Sequence, residues 1–205
     1  MDDSFNRTTE LQARLDRLRA GDAAARDELL ALAANRLARL TRKMLKNYPG
    51  VARWEQTDDV AQNALIRLNR ALGAVAPLTA RDFFQLAAAQ IRRELIDLAR
   101  HYHGPLGLGA HYSTHAGRAD SAESDGPMPP DSTYDPSHLA AWAEFHDAVG
   151  SLGDTDRELF DLLWYQGLTQ AEAANVLGLS ERTVHSRWLA ARVRLSDALG
   201  GQLPI

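Results

Sequence analysis

Apolar residues recur at helical spacing along most of the chain. In residues 180–195, four of them share one face of a predicted helix: Val184, Trp188, Ala191 and Leu195. Similar stripes predict further helices over about residues 8–20, 23–46, 57–72, 79–102, 137–152 and 154–166. Thr57 and Thr79 are placed to act as N-caps of two of them. No segment shows the apolar–polar alternation of a half-buried strand, so we predict an all-α fold.

Residues 168–188 predict two helices joined by a tight turn. Thr169 and Glu172 form a T-x-x-E capping box at the start of the first helix. Gly178 is suited to a left-handed position that ends this helix, and Ser180 is suited to cap the next one. Polar and basic residues occupy the faces of the second helix that the apolar stripe leaves free: Arg182, Thr183, His185, Ser186, Arg187, Arg192 and Arg194. This layout is typical of a DNA-binding helix-turn-helix, although a helical hairpin that never contacts DNA can share it.

Two other features of the sequence, one isoleucine and one pair of phenylalanines, each allow two interpretations. Ile66 is apolar but lies off the stripe of its predicted helix, so it is either an edge-of-core contact or part of a partner surface. Phe83 and Phe84 stand near several arginines. They either pack in a core or form a stacking platform for single-stranded bases.

Composition divides the chain into two parts. Residues 104–137 are rich in Gly, Ser, Asp and Pro and have no helical period, which predicts a flexible linker between domains 1–103 and 138–205. The net charge of the whole chain is −4. Positive charge is local, since residues 180–195 hold four arginines and one glutamate. Because phosphate neutralisation provides most non-specific affinity, we expect weak DNA binding by the isolated chain.

Several kinds of chemistry are not predicted. The chain has no cysteine, which excludes disulfides, a thiol nucleophile and cysteine-based zinc sites. It has no P-loop, no H-E-x-x-H and no G-x-S-x-G motif, and its histidines show no firm metal-ligand spacing. We therefore expect neither an enzyme nor a cofactor or metal. The absence of a long apolar run or signal peptide favours a cytoplasmic protein without membrane contact.

Three stretches, in this order, resemble the sigma-70 family of bacterial RNA polymerase sigma factors, in its extracytoplasmic-function (ECF) group. They are residues 57–68 (TDDVAQNALIRL), residues 83–100, which begin FFQLA and end RRELIDLAR, and residues 168–194, which contain SERTVHSR. The resemblance covers about residues 10–103 and 138–200. It implies an all-α protein of two helical domains, in which 1–103 binds core polymerase and the −10 element and 138–205 binds the −35 element.

The resemblance also implies roles for individual residues. Contacts with the clamp helices of the polymerase β′ subunit are expected from Asp59, Gln62, Asn63, Ile66 and Arg67. Contacts with the −10 element are expected from Phe83, Phe84, Arg92, Arg93, Asp97, Arg100 and His101. In the second domain, Arg182, His185 and Ser186 are expected at base edges. Phosphate contacts there are expected from Thr183, Arg187, Arg192 and Arg194.

Three positions depart from the family pattern. Leu86 stands where tryptophan is common, Asn63 where an acidic residue is frequent and Arg93 where asparagine is usual. The first departure removes part of the usual promoter-melting aromatic set, and the third is expected to alter the −10 preference.

The expected function is therefore that of an ECF-type sigma factor, which directs core RNA polymerase to specific promoters and starts transcription. Its expected partners are the β′ clamp helices, the β flap and promoter DNA, and a dedicated anti-sigma factor is left open. The alternative is a stand-alone helix-turn-helix regulator with an N-terminal helical sensor domain. A helical adaptor that binds only protein is a third class.

Overall fold

The computed structural model describes residues 3–44, 54–103 and 136–201, and these are helical apart from short turns and connections. The first part of the chain contains α1 (Asp3–Arg19), α2 (Ala23–Met44), α3 (Trp54–Ala74) and α4 (Ala80–His103). The second contains α5 (Pro136–Ser151), α6 (Asp154–Leu159), a π-helical segment (Phe160–Tyr165), α7 (Gln170–Leu177) and α8 (Glu181–Ala198). The predicted all-α class is confirmed for this part of the chain.

Local capping explains several helix starts. The Asp22 carboxylate accepts a hydrogen bond from the amide of Ala24 at 2.9 Å, at the beginning of α2. At α4, the Thr79 hydroxyl accepts from the amide of Asp82 at 3.1 Å, while the Asp82 carboxylate accepts from the amide of Thr79 at 3.0 Å. The predicted N-cap at Thr79 is thus confirmed, because this side chain satisfies a backbone donor that the helix itself leaves free.

Three predicted boundaries differ from the structure. Helix α1 begins at Asp3, several residues before its predicted start. Helix α3 begins at Trp54, so the predicted N-cap Thr57 lies inside the helix. The helix that begins at Asp154 changes to π geometry at Phe160, where the amide of Gln166 donates to the carbonyl of Asp161, five residues earlier, at 3.0 Å. Apolar spacing alone did not predict this change of pitch.

One hydrophobic core joins the two parts of the chain. Helix α4 packs against α5 and the π-helical segment, and α1 packs against α7. The shared core draws on five elements, through Leu37, Leu40, Met44, Ile91, Leu95, Leu98, Leu139, Trp142, Phe145, Phe160, Tyr165, Ala191 and Leu195. Two smaller clusters lie around α1–α4 and around α6–α8. Of the predicted linker, 104–137, residues 104–135 lie outside the described residues, and the last two are the first residues of α5.

None of the helices that the structure describes is both long and apolar enough to cross a membrane.

Candidate nucleic-acid interface

The helix-turn-helix is built by short-range hydrogen bonds. The Thr169 hydroxyl accepts from the amide of Glu172 at 3.2 Å, and the Glu172 carboxylate accepts from the amide of Thr169 at 2.7 Å. Gly178 ends α7 at φ 65° and ψ 33°, a left-handed conformation that glycine adopts without strain. The Ser180 hydroxyl then accepts from the amide of Thr183 at 3.1 Å. The predicted capping box, glycine turn and second N-cap are all confirmed.

Helix α8 is anchored by its apolar stripe. Val184, Ala191 and Leu195 are buried, and the half-buried Trp188 packs edge-on against Phe160 with ring centroids 4.7 Å apart. Six of the seven predicted −35 contacts lie on exposed positions: Arg182, His185, Ser186, Arg187, Arg192 and Arg194. The buried stripe thus packs α8 against the rest of the protein and leaves a polar, basic face of the helix exposed to solvent.

Three predicted −35 residues also make contacts within the chain. Thr183 is half-buried, and its hydroxyl lies 2.7 Å from that of Ser180. His185 Nδ1 lies 3.1 Å from Gln170 Oε1, and Arg194 donates to Asp156 at 2.7 Å. The contacts of His185 and Arg194 hold these side chains of α8 against α7 and α6, whereas that of Thr183 lies within the capped first turn of α8. DNA contact by Arg194 would compete with its carboxylate partner.

The predicted −10 residues on α4 do not share one accessible surface. Phe83 is buried in the cluster around α1–α4, which favours its interpretation as core packing. Phe84 is half-buried between the two smaller clusters, and its carbonyl accepts from Gln166 at 3.3 Å. Arg92 is buried at 7% exposure. The other four are exposed: Arg93, Asp97, Arg100 and His101.

Two of the exposed −10 candidates are ion-paired. Asp97 accepts from Arg67 at 2.8 Å, and Arg100 donates to Asp147 of α5 at 2.8 Å. The Arg67–Asp97 pair joins a predicted polymerase contact to a predicted −10 contact, and hydrogen bonding by Asp97 raises the pKa of Arg67. Because both pairs are exposed, they contribute little to stability and can exchange partners.

The predicted polymerase contacts lie on α3. Gln62 and Asn63 are exposed, and Ile66 keeps 42% of its surface in contact with solvent. Arg67 is half-buried beside Asp97 and Glu94, the latter at 3.4 Å. Burial raises the pKa of Glu94, while Arg67 opposes the shift. The side chain of Asp59 lies outside the described residues.

The carboxylates of α6 and the π-helical segment make contacts with α4 that the sequence did not predict. Arg81 donates to both oxygens of Glu158, at 2.5 Å from Nε and 2.7 Å from Nη2, and Gln85 donates to the same carboxylate at 2.6 Å. Arg92 Nη2 lies 2.9 Å from Asp161 Oδ1. Burial raises the pKa of Asp161 to about 6, against the lowering effect of Arg92.

Arg36 of α2 contacts the end of the π-helical segment. Arg36 donates to the backbone carbonyl of Tyr165 at 2.5 Å and to that of Trp164. Its guanidinium lies so close to Gly167 that a Cβ there would come within 2.7 Å of it. Since these partners are more than 120 positions apart in sequence, no local pattern could have revealed them.

The family model described as ECF sigma factor matches residues 8–201, nearly the whole chain. The chain belongs to the ECF sigma factor family. ECF sigma factors are transcription regulators, and this sigma factor directs RNA polymerase to specific promoters and starts transcription. The helix-turn-helix and the α3–α4 pair described above fall inside the matched range.

Among solved structures, this sigma factor is similar to CnrH in a structure described as CnrH in complex with the cytosolic domain of CnrY. The two are 22% identical, the alignment covers 93% of this chain and 97% of CnrH, and the TM-score is 0.38. No curated protein sequence matches the chain.

Proposed function

We propose that the two parts of this sigma factor divide promoter recognition between them. Residues 138–205 bind the −35 element through α8, and residues 1–103 bind core polymerase through α3 and the −10 element through α4. The observation that carries the proposal is the exposed polar face of α8, which the capped turn and the buried Val184 stripe hold in a fixed orientation.

The N-terminal half of α8 is the part that enters the major groove. Arg182, His185 and Ser186 are exposed there, one helical turn apart or less, and arginine can donate two hydrogen bonds to guanine. Arg187, Arg192 and Arg194 lie nearby and provide positive charge for the phosphates on either side. Thr183 holds the first turn through Ser180 and adds a phosphate contact.

Binding to the polymerase supplies the affinity that the chain lacks. Gln62, Asn63 and Ile66 are exposed on α3 and contact the β′ clamp helices, with Asp59 and Arg67 on the same helix. The second part of the chain contacts the β flap. A weak −35 contact then becomes effective because polymerase holds it at a high local concentration near the promoter. The protein acts in the cytoplasm, where polymerase transcribes the genome.

A variant comparison tests this division. Holoenzyme carrying His185→Ala or Arg93→Ala is assayed by transcription from promoters with single base substitutions in the −35 or −10 element. We expect His185→Ala to reduce sensitivity to −35 substitutions only, and Arg93→Ala to reduce sensitivity to −10 substitutions only. Equal effects of either variant on both elements would contradict the division.

The stand-alone regulator is tested with the same reagents. A stand-alone regulator would bind promoter DNA tightly in the absence of core polymerase and would not co-elute with core polymerase. Core-dependent promoter binding and co-elution are expected instead.

A further inference from the structure

Gln170, the first residue of α7, is hydrogen-bonded to a candidate DNA contact of α8. Its side-chain oxygen Oε1 lies 3.1 Å from Nδ1 of His185. Gln170 is half-buried, whereas His185 is exposed. Because an amide oxygen accepts hydrogen bonds and does not donate them, Nδ1 of His185 carries the proton that the two side chains share. The contact therefore determines the tautomer of the imidazole.

The packing of both helices keeps this contact in place. Helix α7 begins at the Thr169 N-cap, directly before Gln170, and its capping box uses the buried carboxylate of Glu172. Helices α7 and α8 share one hydrophobic cluster, which contains Val184, the residue before His185. Because a rotation of either helix would break this packing, the hydrogen bond fixes one orientation of the ring.

The second ring nitrogen, Nε2, lies at the tip of the exposed His185 side chain. Arg182 and Ser186 are exposed on the same face of α8, within one helical turn. In a neutral imidazole whose proton is on Nδ1, Nε2 has a lone pair and accepts a hydrogen bond. His185 therefore adds an acceptor to a face on which Arg182 has only donors.

In the major groove, an acceptor is complementary to two of the four bases. The donors there are the exocyclic amines, N6 of adenine and N4 of cytosine. Guanine N7 and O6, adenine N7 and thymine O4 are acceptors, and their lone pairs repel another acceptor. The opposite tautomer, with its proton on Nε2, would instead donate to a purine N7. The tautomer of His185 thus decides which class of base it reads.

We propose that Gln170 is a positioning residue, which holds His185 in the tautomer protonated at Nδ1, so that Nε2 reads the amine of an adenine or a cytosine in the −35 element. The inference rests on the proposed function, because it takes α8 as the −35 contact. Gln170 acts through His185. The first helix of the helix-turn-helix thereby contributes to the base preference of the second.

Base analogues in the −35 element test this assignment with the holoenzyme. In a promoter on which the holoenzyme initiates, each adenine and each cytosine is replaced in turn by an analogue with hydrogen in place of the exocyclic amine. In a second series, each purine is replaced by its deaza analogue, which has carbon in place of N7. Affinity is measured at about pH 8, where an ordinary imidazole is neutral.

We expect one amine of the −35 element to be recognised by His185. Its removal should weaken binding by about fivefold more for the wild type than for His185→Ala, as expected for the loss of one hydrogen bond. The comparison with His185→Ala subtracts the effect of the analogue on base pairing. Replacement of N7 should affect the wild type and His185→Ala equally.

Gln170→Ala should weaken this selectivity while His185 is still present. Without its partner, the ring can carry the proton on either nitrogen, so the effect of removing the amine should fall to about twofold. The matched control is Asn175→Ala, which removes an exposed side-chain amide from the same helix. Asn175→Ala should keep the amine effect of the wild type.

The outcomes separate this inference from the proposed function. An unchanged amine effect in Gln170→Ala, or a loss of affinity that is equal for all DNA sequences, would overturn the positioning role. Wild-type sensitivity to N7 replacement instead of amine removal would overturn the assigned tautomer. The proposed function fails on a different result, namely that His185→Ala changes the sensitivity to no base of the −35 element.

Discussion

His146 Nδ1 lies 2.8 Å from the Tyr165 hydroxyl inside the core that joins the two parts of the chain. The other ring nitrogen lies 3.4 Å from Met44 Sδ of α2, and Trp142 stacks on the ring at 5.7 Å between centroids. Burial, with a smaller effect of the charge on Arg92, lowers the pKa of His146 from 6.5 to about 3. The native protein therefore holds this imidazole neutral, and only unfolding lets it take up a proton.

Acid should destabilise the protein through this histidine. Because the unfolded chain binds the proton below about pH 6.5 and the native chain does not, stability falls as the pH is lowered, by about 2 kcal/mol between pH 6.5 and 5. Urea unfolding of the wild type and of His146→Gln at several pH values measures this loss of unfolding free energy. The variant should lose less stability over this range.

Asp161 acts with the opposite sign in the same experiment. Its pKa is raised to about 6, so the native state binds its proton more tightly and gains stability as the pH falls from 6 towards 4. The wild type and His146→Gln both contain Asp161, so its contribution cancels when their pH dependences are compared.

His101→Gln, at an exposed position on α4, is the control for the effect of His146. An equal change of pH dependence in this variant would contradict the assignment to His146.

The capping box should stabilise the helix-turn-helix measurably. Thr169→Ala removes the hydroxyl that accepts from the amide of Glu172, and we expect it to lower the free energy of unfolding by about 0.5–2 kcal/mol. Thr155→Ala is the matched control, because Thr155 is exposed in α6 and the N-cap position there belongs to Gly153. Its effect should stay within about 0.5 kcal/mol. Equal losses in urea unfolding would mean that the cap contributes nothing.

Arg182 should discriminate between bases. We expect Arg182→Ala to reduce discrimination at one −35 position by about 1–3 kcal/mol, because a hydrogen-bonded arginine–guanine pair would be lost. Holoenzyme binding to promoters with each −35 base substituted in turn measures this loss. The exposed Arg187, expected at a phosphate, provides the comparison, and Arg187→Ala should weaken binding equally for all sequences. A uniform loss with Arg182→Ala would assign Arg182 to a phosphate instead.

Ile66 should contribute to polymerase binding. The minority of interface residues whose truncation costs more than about 1 kcal/mol cluster near the centre of the interface, and we expect Ile66 to be one of them, so Ile66→Ala should weaken the affinity for core polymerase by that amount. Leu32 on α2 is a matched control, with 46% exposure against 42% for Ile66. Leu32→Ala should leave the affinity unchanged. Competition between labelled wild type and each variant for core polymerase gives the ratio of their affinities. Equal affinities for the two variants would show that Ile66 does not contribute to the interface.

The sequence by itself determined the features that depend on short-range interactions. Capping boxes, a left-handed glycine and the apolar stripe of α8 involve residues within a few positions of one another, so their spacing carries the signal. The order of three motifs was enough to indicate the ECF sigma factor family. Starts of α1 and α3 were less well predicted, because helix ends depend on neighbours that the local pattern does not contain.

Only the tertiary structure decided which candidate residues are accessible. Arg92 and Arg93 are adjacent in sequence, yet one is buried against Asp161 and the other is exposed. The difference arises because α5 and the π-helical segment cover one face of α4. The hydrogen bonds that cover it join residues 47 to 82 positions apart, and no periodicity in the chain encodes such a pairing. The physical reason is that exposure depends on how the elements pack against one another, whereas the local sequence determines only which elements form.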